Sequence, residues 1–201
     1  MSKQVYISAD YDENNGDQDV VKELVNWGKD DKHKVDFVEM SNPSSGSVSN
    51  RNDCRICDLK AEFNSQINAS SAVIFIVGDM TKYRTAGIGC DRNKKEWYDC
   101  YCTPYKQNAN GKKRCKYTNT TSATNGNVGN INTHSYLRHE FEQAKKKGKT
   151  IIIVYNSTRN EISWLPNYMS DYKDDAHPFW KYNDNKDKVG DYEYIKEALG
   201  F

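Results

Sequence analysis

Apolar positions in this 201-residue chain follow two patterns, one continuous and one helical. Two runs are unbroken, Ala72-Val73-Ile74-Phe75-Ile76-Val77 and Ile151-Ile152-Ile153-Val154-Tyr155. Short runs that are apolar at every position and rich in β-branched residues predict strands covered on both faces, as in a parallel sheet. Val5-Tyr6-Ile7-Ser8 and Val35-Asp36-Phe37-Val38-Glu39-Met40 are β-rich and each gives way to polar loop residues, which predicts two further strands. Between the strands the period turns helical. Val20, Leu24 and Trp27 mark one helix, Leu59, Phe63 and Ile67 a second, and Leu137, Phe141 and Ala144 a third. A fifth strand is expected within Pro178-Phe179-Trp180-Lys181-Tyr182, and a closing helix from Tyr192 to Leu199.

Such alternation predicts the α/β class, with a central, mostly parallel five-stranded sheet, most simply in the flavodoxin-like order 2-1-3-4-5. One segment breaks the pattern. From Asp79 to Tyr136 the chain is rich in Asn, Thr, Gly and Lys and carries neither period. A long insertion after strand 3 is therefore expected, irregular over about residues 82–132 and much longer than the usual loops of such folds. It borders the ligand edge of the sheet, so it is either a functional lid or a polar excursion.

Composition and motifs add further constraints. The chain is 36% hydrophobic, enough to fill one core, and a single domain over residues 1–201 is expected. Residues 82–116 hold ten Lys/Arg against three Asp/Glu, a local +7 that leaves −6 for the remainder of a chain whose total is +1. A basic segment suits a phosphate-bearing ligand, and the near-neutral total argues against nucleic acid as the main partner. With no apolar leader ahead of the first charges and no run long enough to span a bilayer, a cytoplasmic protein without a membrane partner is expected. Six cysteines then suggest reduced thiols. Cys54-x-x-Cys57 finds no second pair at zinc-ribbon spacing among Cys90, Cys100, Cys102 and Cys115, so no metal is expected. No phosphate-cradling glycine loop follows a strand, which removes the P-loop and Rossmann readings.

Candidate chemistry gathers at Tyr136-Leu137-Arg138-His139-Glu140. Residues four apart share a helix face, so the Tyr136 ring and the Glu140 carboxylate can act on one ligand. Glu140 lies beside the Leu137-Phe141-Ala144 stripe, from which an acid can look into a crevice while its helix stays anchored. The alternative is a solvated glutamate on a charged helix. Ligands of open parallel sheets bind beyond the carboxyl ends of the strands. That edge collects Ser8 to Asn15, Ser41 to Asp53, Gly78 to Gly89 and the helix start with Tyr136 and Glu140. His134 and His139 are expected on the rim.

The order of these segments resembles that of TIR and TIR-like domains. Val5 to Ser8 resembles their first strand, Gln66 to Val77 their helix-B to strand-C junction, and Tyr136 to Glu140, with Ala144, Gly148 and Lys149, their aromatic-x-x-x-Glu helix. The set is similar to the ThsB branch, the TIR-like proteins of bacterial Thoeris anti-phage systems, over roughly residues 3–156 without the insertion. The resemblance implies a TIR-like sandwich and an enzyme of NAD+ glycohydrolase or ADP-ribosyl cyclase or transferase type. It would break the nicotinamide–ribose bond of NAD+ and release an ADP-ribose-derived nucleotide that activates a separate effector. NAD+ enters as substrate, with no further cofactor. A phage-derived trigger and a homo-oligomer are further implications.

The family glutamate falls on Glu140. Tyr136 stands where many TIR enzymes have tryptophan, and Asp10 and Tyr11 replace the basic AA-loop residues of some, so binding differs in detail. Nucleotide contacts are then expected from Ser8, Asp10 and Tyr11, from Ser45 within Ser44-Ser45-Gly46-Ser47, from Asp79 and Glu39 at strand ends, from Arg84 toward a diphosphate, and from Tyr136 toward nicotinamide or ribose. The competing expectation is a non-enzymatic TIR- or receiver-like interaction module, using the strand-2 loop and the aromatic C-terminal part with Trp164, Tyr168, Tyr172, Phe179 and Trp180. A phospho-acceptor receiver has little support, because Asp10 alone offers a candidate acid after strand 1.

Overall fold

A computed structural model of the chain describes residues 3–11, 16–29, 35–38, 55–84, 105–107, 113–115 and 135–201. In chain order these hold β1 (Lys3–Ser8), α1 (Gln18–Lys29), β2 (Val35–Val38), α2 (Arg55–Ala69), β3 (Ala72–Val77), β4 (Tyr105–Gln107), β5 (Lys113–Cys115), α3 (Tyr136–Lys146), β6 (Thr150–Tyr155), β7 (His177–Pro178), β8 (Trp180–Tyr182), β9 (Lys188–Gly190) and α4 (Tyr192–Ala198). The protein is of the α/β class. Its main sheet runs β2-β1-β3-β6-β7, every neighbouring pair parallel, an arrangement compatible with a flavodoxin-like fold.

The chain divides into two compact units. The first comprises Met1–Ser41, Ile67–Arg84 and Gln143–Phe201, and the second Asn42–Gln66 and Thr85–Glu142. Within the first unit, alternate strand residues Val5, Ile7, Ala72, Ile74, Ile76, Ile152 and Val154 pack with Val20, Val21 and Leu24 of α1 and with Phe179, Ile195 and Leu199. The intervening residues Tyr6, Val73, Phe75, Val77, Ile153 and Tyr155 are buried as well. Both faces of β1, β3 and β6 leave water, which is why β3 and β6 show no alternation in sequence.

Side chains fix the junctions beneath this sheet. Gly148 takes a left-handed φ of 60°, and the Lys149 N–H donates to the Ala144 carbonyl (3.1 Å), closing α3 in the glycine-terminated geometry that only a residue without Cβ adopts at low cost. The Lys149 ammonium then donates to the Asn68 (2.9 Å) and Ser70 (2.6 Å) carbonyls, which α2 leaves without helical partners. Ser71 donates both N–H and hydroxyl to the Gln4 carbonyl, tying the α2–β3 turn to β1.

The expected strand over 178–182 divides in two. Phe179 and Trp180 donate their N–H groups to the Tyr155 and Ser157 carbonyls, carrying the chain past the end of β6. Beyond that point Trp180–Tyr182 pairs antiparallel with β9 instead. Of residues 82–132, residues 82–84 and the strands β4 and β5 are described, the two strands paired antiparallel from Tyr105↔Cys115 to Gln107↔Lys113. Two short strands thus lie within the stretch expected to be irregular. Three-residue strands held by backbone bonds impose too little side-chain alternation to be read from sequence. Among the described residues, no helix is long and apolar enough to cross a membrane.

Candidate functional site

Within the second unit, α3 begins at a side-chain cap. The Ser135 hydroxyl accepts the Arg138 N–H (3.1 Å) and its carbonyl accepts the His139 N–H (3.1 Å). Leu137, Phe141 and Ala144 are buried, as the stripe predicts. Glu140 is buried too, at 4% exposure, so it is not a solvated glutamate. A carboxylate withdrawn from water costs several kcal/mol, on the order of the stability gained from two or three core side chains, unless its surroundings compensate. One turn earlier the Tyr136 ring is partly buried and meets Phe63 of α2 edge-on, centroids 5.6 Å apart at 90°.

His139 is the clearest correction. Expected at the rim, it is 3% exposed and bonded to α2, with Nε2 2.9 Å from Asn64 Oδ1 and 3.2 Å from the Lys60 carbonyl. A backbone carbonyl only accepts, so Nε2 carries a proton and donates, shared between the two oxygens. Lys60 itself is fully buried. Positions 60, 63, 64 and 67 form a helical stripe, and two polar residues on it were the available signal that α2 buries polar groups here.

The remaining expected contacts lie at the sheet edge of the first unit. Ser8 is buried at the end of β1, opposite Phe75 in the ladder. Asp10 forms an ion pair with the Arg84 guanidinium, and its carbonyl accepts the Asp17 N–H (2.8 Å). Tyr11 packs against the core, its carbonyl accepting from Gln18 Nε2 (3.2 Å). Asp79 is exposed. Ser45, with Glu39, Ser44, Gly46, Ser47 and His134, lies outside the described residues, as do the side chains of all six cysteines.

Three residues the sequence did not single out organise this edge. Asn156 Nδ2 donates to Asp17 Oδ1 (3.1 Å) and Asp19 Oδ1 (2.9 Å), while its Oδ1 accepts from Trp180 Nε1 (2.8 Å). Burial pushes the Asp17 carboxyl up to about 7; the bond from Asn156 opposes the shift, and the nearby Asp10 and Asp19 charges reinforce it. Asp17 presses on Gly78 so closely that a Cβ there would lie 2.3 Å from Oδ1. Phe179 and Trp180, expected in a fifth strand and among the aromatic residues of the C-terminal part, are core, whereas Tyr83, Ile162 and Tyr182 are exposed.

Comparison of the chain with protein-family models, with curated proteins and with solved structures finds no match in any of the three. Among the described residues no group of three or more His, Cys, Asp or Glu side chains is placed to hold a metal ion.

Proposed function

We propose that this chain is a TIR-like NAD+-cleaving enzyme of bacterial antiviral defence, similar to the Thoeris ThsB proteins, that breaks the nicotinamide–ribose bond and makes an ADP-ribose-derived signal for a separate effector. With that reading go a five-stranded TIR-like sandwich in the order 2-1-3-4-5, a long insertion after its third strand, and a cytoplasmic site of action. The observation that carries it is Glu140: a buried carboxylate on a capped helix, one turn beyond a partly buried tyrosine.

Nicotinamide departs as a neutral ring from a cationic one, so no general acid is needed. The barrier is positive charge growing on the ribose, and a fixed carboxylate in a low-dielectric setting stabilises that charge where water would have to reorganise. Charge-assisted bonds from Glu140 to ribose hydroxyls and a stacking or ribose-fixing role for Tyr136 complete the chemistry. At 4% exposure, Glu140 meets a dinucleotide only after the covering residues part. An opening step thus belongs to the reading, with a phage-derived trigger as its cause. Ser8, Asp10, Tyr11, Asp79 and Arg84 stay in the proposal as nucleotide contacts, although anion binding by Arg84 has to compete with Asp10.

The test is nicotinamide release from NAD+ by the purified protein and in phage-infected cells, with Glu140→Gln alongside. Turnover in wild type and its loss in the variant supports the reading; equal turnover removes Glu140 from the mechanism, and no NAD+ loss in either setting ends the enzymatic proposal. A second reading, a non-enzymatic interaction module, draws on the exposed Tyr83 and Ile162, whose segments are joined by the Lys82 ammonium donating to the Ser163 carbonyl (2.7 Å). Partner capture that survives Glu140→Gln but fails on Ile162→Asp favours it.

A further inference from the structure

In the second unit α2 holds α3 at two levels. Phe63 meets the Tyr136 ring edge-on, and one turn on Asn64 Oδ1 and the Lys60 carbonyl receive the His139 imidazole. Tyr136 stands one helical turn before Glu140, and the bonded imidazole is its immediate neighbour in the chain. We propose that Asn64 and His139 form a positioning pair that sets the rotation of α3 and so aims the Glu140 carboxylate. The inference rests on the reading of Glu140 as the catalytic acid.

The reason for a polar lock lies in its directionality. An apolar side chain on a helix interface can slide between neighbouring seats at small cost, whereas a buried imidazole N–H displaced from its acceptors is left unpaired at the full cost of its desolvation. Nε2 faces two acceptors on adjacent turns of α2, so one seat satisfies it. Successive residues are about 100° apart around a helix, and a carboxylate tip stands roughly 6 Å from the axis; a rotation of about 10–20° would move it by roughly 1–2 Å. Misplacement of that size costs about 10²-fold in rate when an oriented group is needed. The inference gives His139 a positioning role: its Nε2 proton is committed to α2, and the departing nicotinamide needs no proton.

The experiment compares kcat and KM for NAD+ in nicotinamide release by wild type, Glu140→Gln, His139→Leu, His139→Gln, Asn64→Leu and the double Leu variant, with circular dichroism checking the fold of each. A glutamine can place its own N–H donors near the imidazole Nε2. The expected result is a kcat about 10²-fold lower in each Leu variant with KM within about threefold of wild type, recovery to within about tenfold in His139→Gln, and a double variant no slower than either single one. If the Leu variants do not fold, His139→Gln decides: a folded protein with kcat near wild type supports the pair, and a folded one as slow as Glu140→Gln overturns it. Full activity in His139→Leu while Glu140→Gln is dead overturns the pair alone. No release by wild type, or release by Glu140→Gln equal to wild type, takes down the reading of Glu140 and the pair with it.

Discussion

Asp17 and Glu140 are both carboxylates removed from water, at 3% and 4% exposure, and they lie in different units of the chain. Asp17 sits in a knot of structural ties: Asn156 donates to it, Trp180 steadies Asn156, Gly78 lies against it, and the acids Asp10 and Asp19 stand near. Like charge and burial both favour its neutral form. Glu140 rides on a helix whose start is capped by Ser135 and whose rotation is held by His139, within a unit that also buries the lysine Lys60. Burial alone therefore does not mark a catalytic acid. On the proposed reading, what singles out Glu140 is the capped, polar-bonded helix that presents it.

The sharpest way to break that contrast is to neutralise each acid in turn. Glu140→Gln is expected to lower nicotinamide release by at least about 10³-fold, roughly 4 kcal/mol of transition-state stabilisation, with the fold intact. Asp17→Asn should leave the rate within about threefold, since its amide oxygen still accepts from Asn156. Equal losses in the two variants, measured by single-turnover nicotinamide release, would erase the distinction.

Next in size is a pH effect confined to Asp17. Its folded pKa of about 7 lies some three units above the ordinary 3.8, so the folded chain holds a proton that the unfolded chain has released between those values. The resulting stabilisation is complete below about pH 4 and is lost as pH rises through about 7, up to about 4 kcal/mol in all. Asparagine at position 17 does not titrate. Denaturant melts at pH 5 and pH 8 should thus show wild type losing stability relative to Asp17→Asn as pH rises; parallel profiles would mean that Asp17 titrates normally.

Sequence disclosed these regions unequally. β3 and β6 were legible because a strand covered on both faces has to be apolar throughout, and α3 because its stripe recurs every three or four residues. Tyr136 and Glu140 were legible as a pair because one helical turn joins them. The partners that give each acid its setting were not. His139 and Asn64 meet across 75 positions of sequence, and Asn156 and Asp17 across 139, separations over which local periodicity carries no information. Likewise, the ion pair between Asp10 and Arg84 spans 74 positions and was not legible in the sequence.

Gly78→Ala probes the Asp17 side of the contrast by volume instead of charge. A Cβ 2.3 Å from Asp17 Oδ1 forces the carboxyl off Asn156 or moves the end of β3, at a cost of about 1–3 kcal/mol, the usual range for overpacking. Thermal melts should show this loss, and pairing the change with Asp17→Ala should restore most of it. If the double variant is as unstable as the sum of the two, the contact is not what glycine preserves there.

The smallest effect tests whether presentation matters on the Glu140 side. Ser135→Ala removes the hydroxyl that accepts the Arg138 N–H, a loss of about 1 kcal/mol at a helix start. On a helix whose only task is to fill space, that loss would lower the melting temperature by a few degrees and leave the rate of the folded protein alone. Here the capped turn carries Tyr136 and runs into His139 and Glu140, so fraying relaxes the rotation that Asn64 imposes from the other side. Nicotinamide release should fall by about three- to tenfold in kcat with KM little changed, and Ser135→Thr or Ser135→Asp, which keep a side-chain acceptor, should recover it. An equal loss from Asp191→Ala, which uncaps α4 by removing its bond from the Tyr194 N–H, would show that any weakened helix slows the reaction and that α3 holds no privileged place.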